Sequence, residues 1–412
     1  APAPPPLSPI FQKNSSQSSV PSSSSHNNNN HLYERIYIPS HVYRHPSAIL
    51  LELCTSIKEL RQMLPLIIKN GFYHEHLFQT KLVSLFCNYG SIGEAARVFE
   101  PIEHKIDVLY HTMLKGYAKN STLDDALSLY HRMKLDDVRP VVYDFTYLLQ
   151  LCGDKLDLKR GKEIHGQLIT SGYESNLYAM TAVVNLYAKC RQINEAYKIF
   201  ERMPQKDLVS WNTVISGFAQ NGLAKTALSL VPQMQESGLK PDSITLVSIL
   251  PAVADIKSLS IGKSIHGYAL RSGFGSFVNV STALVDMYFK CGSVRDARLI
   301  FEGMNSKNVV SWNSMIDGYG QNGEPEEAFA TFLKMLDEGL EPTNVSIMGA
   351  LHACADLNDL VRGKFVHRLL NELKFNSNMS VMNSLISMYS KCRRVDIATT
   401  IFDGMQERTQ VT

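Results

Sequence analysis

A block of 101 residues recurs along this 412-residue chain, and that spacing restricts the fold more than any single motif. The stretch from Asp207 to Gly222, Asp-Leu-Val-Ser-Trp-Asn-Thr-Val-Ile-Ser-Gly-Phe-Ala-Gln-Asn-Gly, returns almost letter for letter from Asn308 to Gly323, with Trp211 and Trp312 101 residues apart. Gly161, Gly262 and Gly363 keep the same step, as do His165, His266 and His367, and the dipeptides Lys189-Cys190, Lys290-Cys291 and Lys391-Cys392. One long block has been copied, so length counts copies rather than independent globular domains.

Within the block the apolar residues fall at helical spacing. Trp211, Val214, Ile215 and Phe218 share one helix face, Asn221-Gly222 turns the chain, and Ala227, Leu230, Val231 and Met234 line a second helix that Gly238 and Pro241 close. A shorter hairpin uses Met180, Val183, Val184 and Tyr187 against Ala196, Ile199, Phe200 and Met203. The second-helix set recurs at Ala297, Ile300, Phe301, Met304 and at Ala398, Ile401, Phe402, Met405. The 101 residues thus divide into hairpins of 35, 35 and 31. Neither helix of a hairpin can bury its stripe alone, so each must pack on its partner and on the next hairpin. The expected fold is all-α, an α-solenoid of stacked helix-turn-helix repeats with the tryptophans in its core. Pro232 and Pro251 fall inside helical patterns and should kink their helices.

Composition removes several function classes. Lys plus Arg number 41 against 39 Asp plus Glu, so any basic track must be local. The seven cysteines form no C-x-x-C pair and lie in apolar patterns, which reads as reduced core thiols and no metal site. No apolar run approaches the ~18 residues of a membrane span. Residues 1–33 are rich in Ser, Pro and Asn, with no Asp, Glu or Arg and Lys13 as the only Lys. The segment 1–43 therefore reads as disordered, with the composition of an organelle transit peptide, plastid ahead of mitochondrion. A start at Ala1 without Met suggests that the natural start lies upstream.

The Val-Ser-Trp-Asn openings, the Gly-Lys-x-x-His of the middle hairpins and the Tyr-x-Lys-Cys of the short ones resemble the plant pentatricopeptide repeat proteins of the PLS class, over residues 44–412. The resemblance implies P-type repeats at 107–141, 208–242 and 309–343; L-type at 142–176, 243–277 and 344–378, with a shortened one at 44–75; and S-type at 76–106, 177–207, 278–308 and 379–409. Residues 410–412 begin a truncated further repeat. The wording is most similar to chlororespiratory-reduction-type chloroplast RNA-editing factors. Full-length relatives often continue into a zinc deaminase domain, marked by H-x-E followed by P-C-x-x-C. Neither string occurs here, so no catalytic residue, cofactor or metal ligand is assigned and the chain is not expected to be an enzyme.

Asn212 follows Trp211 by one residue, about 100° round the helix, and so should point away from the core and be available to meet a ligand. The same fifth position holds Asn313, Thr181, Thr282, Thr80 and Asn383, and the closing position holds Asp242, Thr343, Asp207, Asn308 and Thr409. Helix capping alone is the competing account of the closing residues. The resemblance implies that fifth and closing residues read one RNA base per repeat, with Tyr178, Val209 and Val310 flanking the bases. Lys119, Lys189, Lys290 and Lys391, at position thirteen, would lie along the phosphates, against a solvated surface as the alternative. His165, His266 and His367 read as packing or hydrogen-bonded residues. The function so implied is sequence-specific binding of single-stranded organelle RNA for C-to-U editing, with accessory editing proteins and a deaminase in trans as partners and no membrane. A protein-binding scaffold, or a role in RNA processing or stability, is the alternative. Pairing Thr181 with Asp207, Asn212 with Asp242, Thr282 with Asn308, Asn313 with Thr343 and Asn383 with Thr409 gives the expected register 5′-G-U/C-N-A-Y-N-Y-3′, the 243–277 and 344–378 repeats being indifferent.

Overall fold

A computed structural model describes residues 51–120, 122–373, 375 and 378–405. The segment 1–43, the first residues of the 44–75 repeat, Thr409 and 410–412 lie outside the described residues. The described chain falls into two compact bodies, one ending at Gly217 and the other beginning at Phe218.

Every helix of the first body follows the apolar stripes. It holds α1 (Ile57–Lys69), α2 (His76–Asn88), α3 (Ile92–Phe99), α4 (Asp107–Lys119), α5 (Leu123–Leu135), α6 (Val142–Asp154), α7 (Leu158–Thr170), α8 (Leu177–Lys189) and α9 (Ile193–Arg202). The division between the bodies falls within α10 (Leu208–Gln220). The second body holds α11 (Ala224–Glu236), α12 (Ser243–Asp255), α13 (Leu259–Arg271), α14 (Val278–Lys290), α15 (Val294–Glu302), α16 (Val309–Gln321), α17 (Pro325–Asp337), α18 (Asn344–Leu357), α19 (Leu360–Glu372), α20 (Met379–Lys391) and α21 (Val395–Gly404). No strand occurs among the described residues.

Packing is strictly local, as a repeat array requires. In the first body α8 packs on its partner α9 and on the preceding first helix α6, and α2 packs on its partner α3 and on the following first helix α4. In the second body α12, α14, α16, α18 and α20 pack in sequence, each on its neighbours. The fold is an α-solenoid of helical hairpins. Trp211 and Trp312 lie in the core, edge-on to Phe200 and Phe301 with ring centroids 4.9 Å apart in each case. Burying such aromatic and aliphatic side chains stabilises by ~1.5–3 kcal/mol each. Pro232 lies within α11 and Pro251 within α12, and neither interrupts its helix.

Two rows of glycine explain landmarks that composition leaves mute. A Cβ on Gly161, Gly262 or Gly363 would overlap the side chain of Leu186, Met287 or Met388 on the next first helix. A Cβ on Gly318 would overlap the ring of Phe289. The hairpins approach so closely that a methyl group decides the fit. The turns between paired helices recur too: Leu156, Lys257 and Asn358, again 101 apart, all take the left-handed conformation, at φ 56°, 50° and 52°.

Candidate nucleic-acid interface

The closing residues are helix caps. Asp207 Oδ1 accepts from Ser210 N at 2.9 Å, Asp242 Oδ1 from Thr245 N at 2.8 Å, Asn308 Oδ1 from Ser311 N at 2.9 Å and Thr343 Oγ1 from Ser346 N at 3.4 Å. Each partner returns the bond from its hydroxyl: Asp207 N, Asp242 N, Asn308 N and Thr343 N donate to the hydroxyl oxygens of Ser210, Thr245, Ser311 and Ser346. This reciprocal box satisfies donors that a helix start leaves orphaned. In Asp207, Asp242 and Asn308 it uses only part of the side chain, since a carboxylate or amide oxygen accepts more than one bond, whereas the Thr343 hydroxyl is also engaged by Asn313. Capping therefore accounts for where these residues sit without exhausting what Asp207, Asp242 and Asn308 can bind.

The fifth residues are recessed, which corrects the expectation that they stand clear of the packing. Asn212 is 6% exposed and Thr282 8%. Within each body the first helices lie side by side, so a residue one step round from the core stripe, such as Thr282, lies against a neighbouring helix instead of open solvent. Thr80 and Thr181 satisfy their hydroxyls by donating to His76 O at 2.7 Å and Leu177 O at 2.8 Å. Thr282 Oγ1 is buried with no hydrogen-bond partner among the described residues, an arrangement that costs stability. Asn383 Oδ1 is also buried and unpartnered, and position 412, the third residue of the following repeat, lies outside the described residues.

Of the expected reading pairs, Asn313 and Thr343 bond directly: Asn313 Nδ2 donates to Thr343 Oγ1 at 3.0 Å. Ser346 Oγ in turn donates to Asn313 Oδ1 at 2.6 Å. Thr181 and Asp207 share the first body and Thr282 and Asn308 the second, while Asn212 and Asp242 belong to different bodies. Sequence reasoning passed over His111, the fifth residue of the 107–141 interval. Its Nδ1 lies 2.9 Å from the carboxylate of the fully buried Asp144. The signal that could have found both contacts is a polar residue at the third position of the following repeat, 33 residues on in each case.

Beside the recessed polar row runs an exposed apolar one. Tyr178, Val209 and Val310 are 56%, 60% and 60% exposed, and Ile244 and Val345, which share their position, are exposed as well. Such residues at one position of successive repeats suit flat apolar faces such as bases. The lysines at position thirteen cap the far end of the first helices. Lys189 pairs with Asp154, and Lys391 with Asp356 at 2.9 Å, each reaching back to the preceding first helix. Lys290 pairs with Asp286 in its own helix at 3.0 Å, and Lys119 donates to Asn88 O and Oδ1 at 3.2 Å. These bonds are solvent-facing, so each contributes little to stability.

The histidines of the Gly-Lys-x-x-His motif pack. The Nδ1 of His165, His266 and His367 lies 3.2, 3.0 and 2.9 Å from the hydroxyl of Tyr187, Tyr288 and Tyr389. Burial holds all three imidazoles below their ordinary pKa. All seven cysteines are free thiols, and burial pushes Cys87 up to about 11 and Cys152 and Cys354 up to about 12, which leaves them inert. Among the described residues no group of three His, Cys, Asp or Glu could hold a metal, and no helix is long and apolar enough to cross a membrane.

Comparison with known proteins agrees with this architecture. The chain matches the PPR repeat family at residues 307–356, the PPR repeat at 280–309 and 380–409, and the pentacotripeptide-repeat region of PRORP at 100–269. It is 63% identical over 380 residues to a chloroplastic pentatricopeptide repeat-containing protein of Arabidopsis thaliana, covering 92% of this chain and 47% of the relative. It is 32% identical over 380 residues to a mitochondrial one from the same plant, covering 90% and 55%. The chain thus spans about half the length of these relatives. Its fold is similar to that of the maize pentatricopeptide repeat protein PPR10, with TM-score 0.61, 19% identity and coverage of 89% of this chain and 59% of that one. PPR10 in complex with an 18-nt psaJ RNA element matches at TM-score 0.63 and 20% identity, covering 89% and 55%. The matching families are repeat families rather than catalytic domains, and by repeat, fold and relatives the chain belongs to the pentatricopeptide repeat family.

Proposed function

We propose that this chain binds single-stranded organelle RNA in a sequence-specific manner, as a PLS-class site-recognition factor for C-to-U editing in the chloroplast. The observation that carries the reading is the pairing of two rows along the first helices: recessed polar fifth residues, with Thr282 Oγ1 unsatisfied, beside exposed apolar second residues such as Val209 and Val310. A base needs both a flat apolar contact and a hydrogen-bonding edge. The PPR10 complex with RNA and the chloroplastic relative support the same reading. Deamination requires a zinc-bound domain supplied elsewhere, and accessory editing proteins would dock on the L-type repeats.

The test is a single swap in the register 5′-G-U/C-N-A-Y-N-Y-3′. Asp207→Asn converts the Thr181–Asp207 pair into the Thr-Asn pair already present at Thr282 and Asn308, and Asn caps α10 as well as Asp does. The preferred first base should move from G to A while the others stay fixed, with ~1–3 kcal/mol of discrimination, about tenfold per 1.4 kcal/mol. Equal loss of affinity for both RNAs would leave Asp207 a cap and nothing more. Retention of peptides in place of any RNA pool would favour the scaffold alternative.

A further inference from the structure

Around Asn313 three side chains close a ring of hydrogen bonds. Ser346 Oγ donates to Asn313 Oδ1 at 2.6 Å, Asn313 Nδ2 donates to Thr343 Oγ1 at 3.0 Å, and the Thr343 and Ser346 hydroxyl oxygens lie 3.1 Å apart. Ser346 has one proton to give and spends it on Asn313, so the Thr343 hydroxyl must be the donor in the last of these. The ring then runs in one direction. The opposite sense, with the amide turned over, Thr343 donating to it and Ser346 donating to Thr343, satisfies the same three side chains, so the ring holds the amide in place without choosing between its two ends. One Nδ2 proton and one Oδ1 lone pair of Asn313 are left over for a ligand.

The first body repeats the arrangement with other chemistry. Asp144, the third residue of its own first helix, is completely buried, accepts from Val141 N at 2.8 Å and faces His111 Nδ1 at 2.9 Å. An ionised carboxylate cannot donate, so Nδ1 carries the hydrogen and Nε2 is the nitrogen left to a ligand. In both places the third residue of the next repeat occupies one side of the fifth residue and leaves the other to a ligand. Thr245 holds the same third position in α12.

We infer that Ser346 is a specificity-determining positioning residue: it holds the Asn313 amide in place at the reading position and so supports the base class accepted by the 309–343 repeat, while Asp144 sets the His111 tautomer for the 107–141 repeat. The inference deepens the RNA reading above and rests on it. A reader in this array is a triad, in which the fifth and closing residues of one repeat are held in place by the third residue of the next.

The experiment uses the full chain with wild type, Asn313→Ala, Ser346→Ala and Ser346→Thr, and four RNAs that differ only at the fifth base of the register. Wild type should prefer a pyrimidine by about tenfold, the scale of one good base contact. Ser346→Ala should bring that ratio to within about threefold while preferences at the other bases persist, and Ser346→Thr, which keeps the hydroxyl, should restore it. A full ratio in Ser346→Ala, or an equal loss of affinity for all four RNAs, overturns the proposal. Absence of any preference in wild type would sink the RNA reading of Asn313 instead. The ring is then judged on the side-chain amide of Asn313 by NMR. Protected, shifted protons that return to solvent-like behaviour in Ser346→Ala support it, and an unchanged pair of resonances refutes it.

Discussion

Asn313 Nδ2 and Thr343 Oγ1 meet at 3.0 Å across 30 residues of chain. The bond joins one first helix to the cap of the next, so the residue that closes a repeat and caps the following helix is held from within its own repeat. Such a contact makes the two side chains energetically dependent on one another. In a double-mutant cycle with Asn313→Ala and Thr343→Ala, denaturant unfolding should show a coupling of ~0.5–3 kcal/mol, since each single change already breaks the shared bond. Strictly additive losses would mean that the pair is adjacent without interacting.

Ionic strength separates backbone contacts from base contacts. If Lys119, Lys189, Lys290 and Lys391 trade their present partners for phosphates, changing all four to Gln should lower the slope of log affinity against log salt by about 0.7 for each phosphate left without its lysine. Base preference should persist, and stability should change little because the pairs to Asp154, Asp286 and Asp356 are solvent-facing. An unaltered slope would return the four lysines to the solvated surface.

Helix spacing gives a prediction about stability alone. A methyl at Gly318 would overlap the Phe289 ring, which itself lies edge-on to Tyr319 with centroids 5.2 Å apart. Gly318→Ala should therefore cost ~1–3 kcal/mol by overpacking, even though Ala is the better helix former by about 1 kcal/mol. A melting temperature equal to or above that of wild type would show that the Phe289 ring moves aside freely.

Acid should loosen the array before neutral conditions do. His165, His266 and His367 are held below the ordinary value of 6.5 by burial, so as pH falls through that value the unfolded chain takes up protons first. Stability is then lost with decreasing pH, by at most about 1.4 kcal/mol per pH unit for each histidine, until the folded imidazoles protonate too. Tyr288, raised to about 12 by burial, acts in the opposite range and weakens the fold as pH climbs past 10. Replacing the three histidines by Gln should flatten the melting temperature between about pH 7 and pH 5. An identical acid profile would place the titration elsewhere.

The period and the apolar stripes made the hairpins legible in the sequence, because Trp211, Val214 and Ile215 declare their face without reference to any neighbour. The surroundings of Thr282 were not legible in that way. A helical wheel places it one step from the core but cannot say that a neighbouring first helix lies against that step. The same limit hid the ion pair between Lys391 and Asp356, whose partners stand 35 residues apart, and the contact of His111 with Asp144. Close approach at Gly161, Gly262 and Gly363 was visible as a recurring letter and became a reason only once Leu186, Met287 and Met388 were in place.

Because Asp207, Asp242, Asn308 and Thr343 each start a helix, drift at these sites passes through a filter set by stability. Residues that cap poorly, such as Val, Ile or Leu, cost about 0.5–2 kcal/mol before any question of recognition arises. Under the proposed reading the vocabulary of these four positions is therefore short for a reason unrelated to nucleic acid: side chains that begin a helix well are favoured there whatever they read.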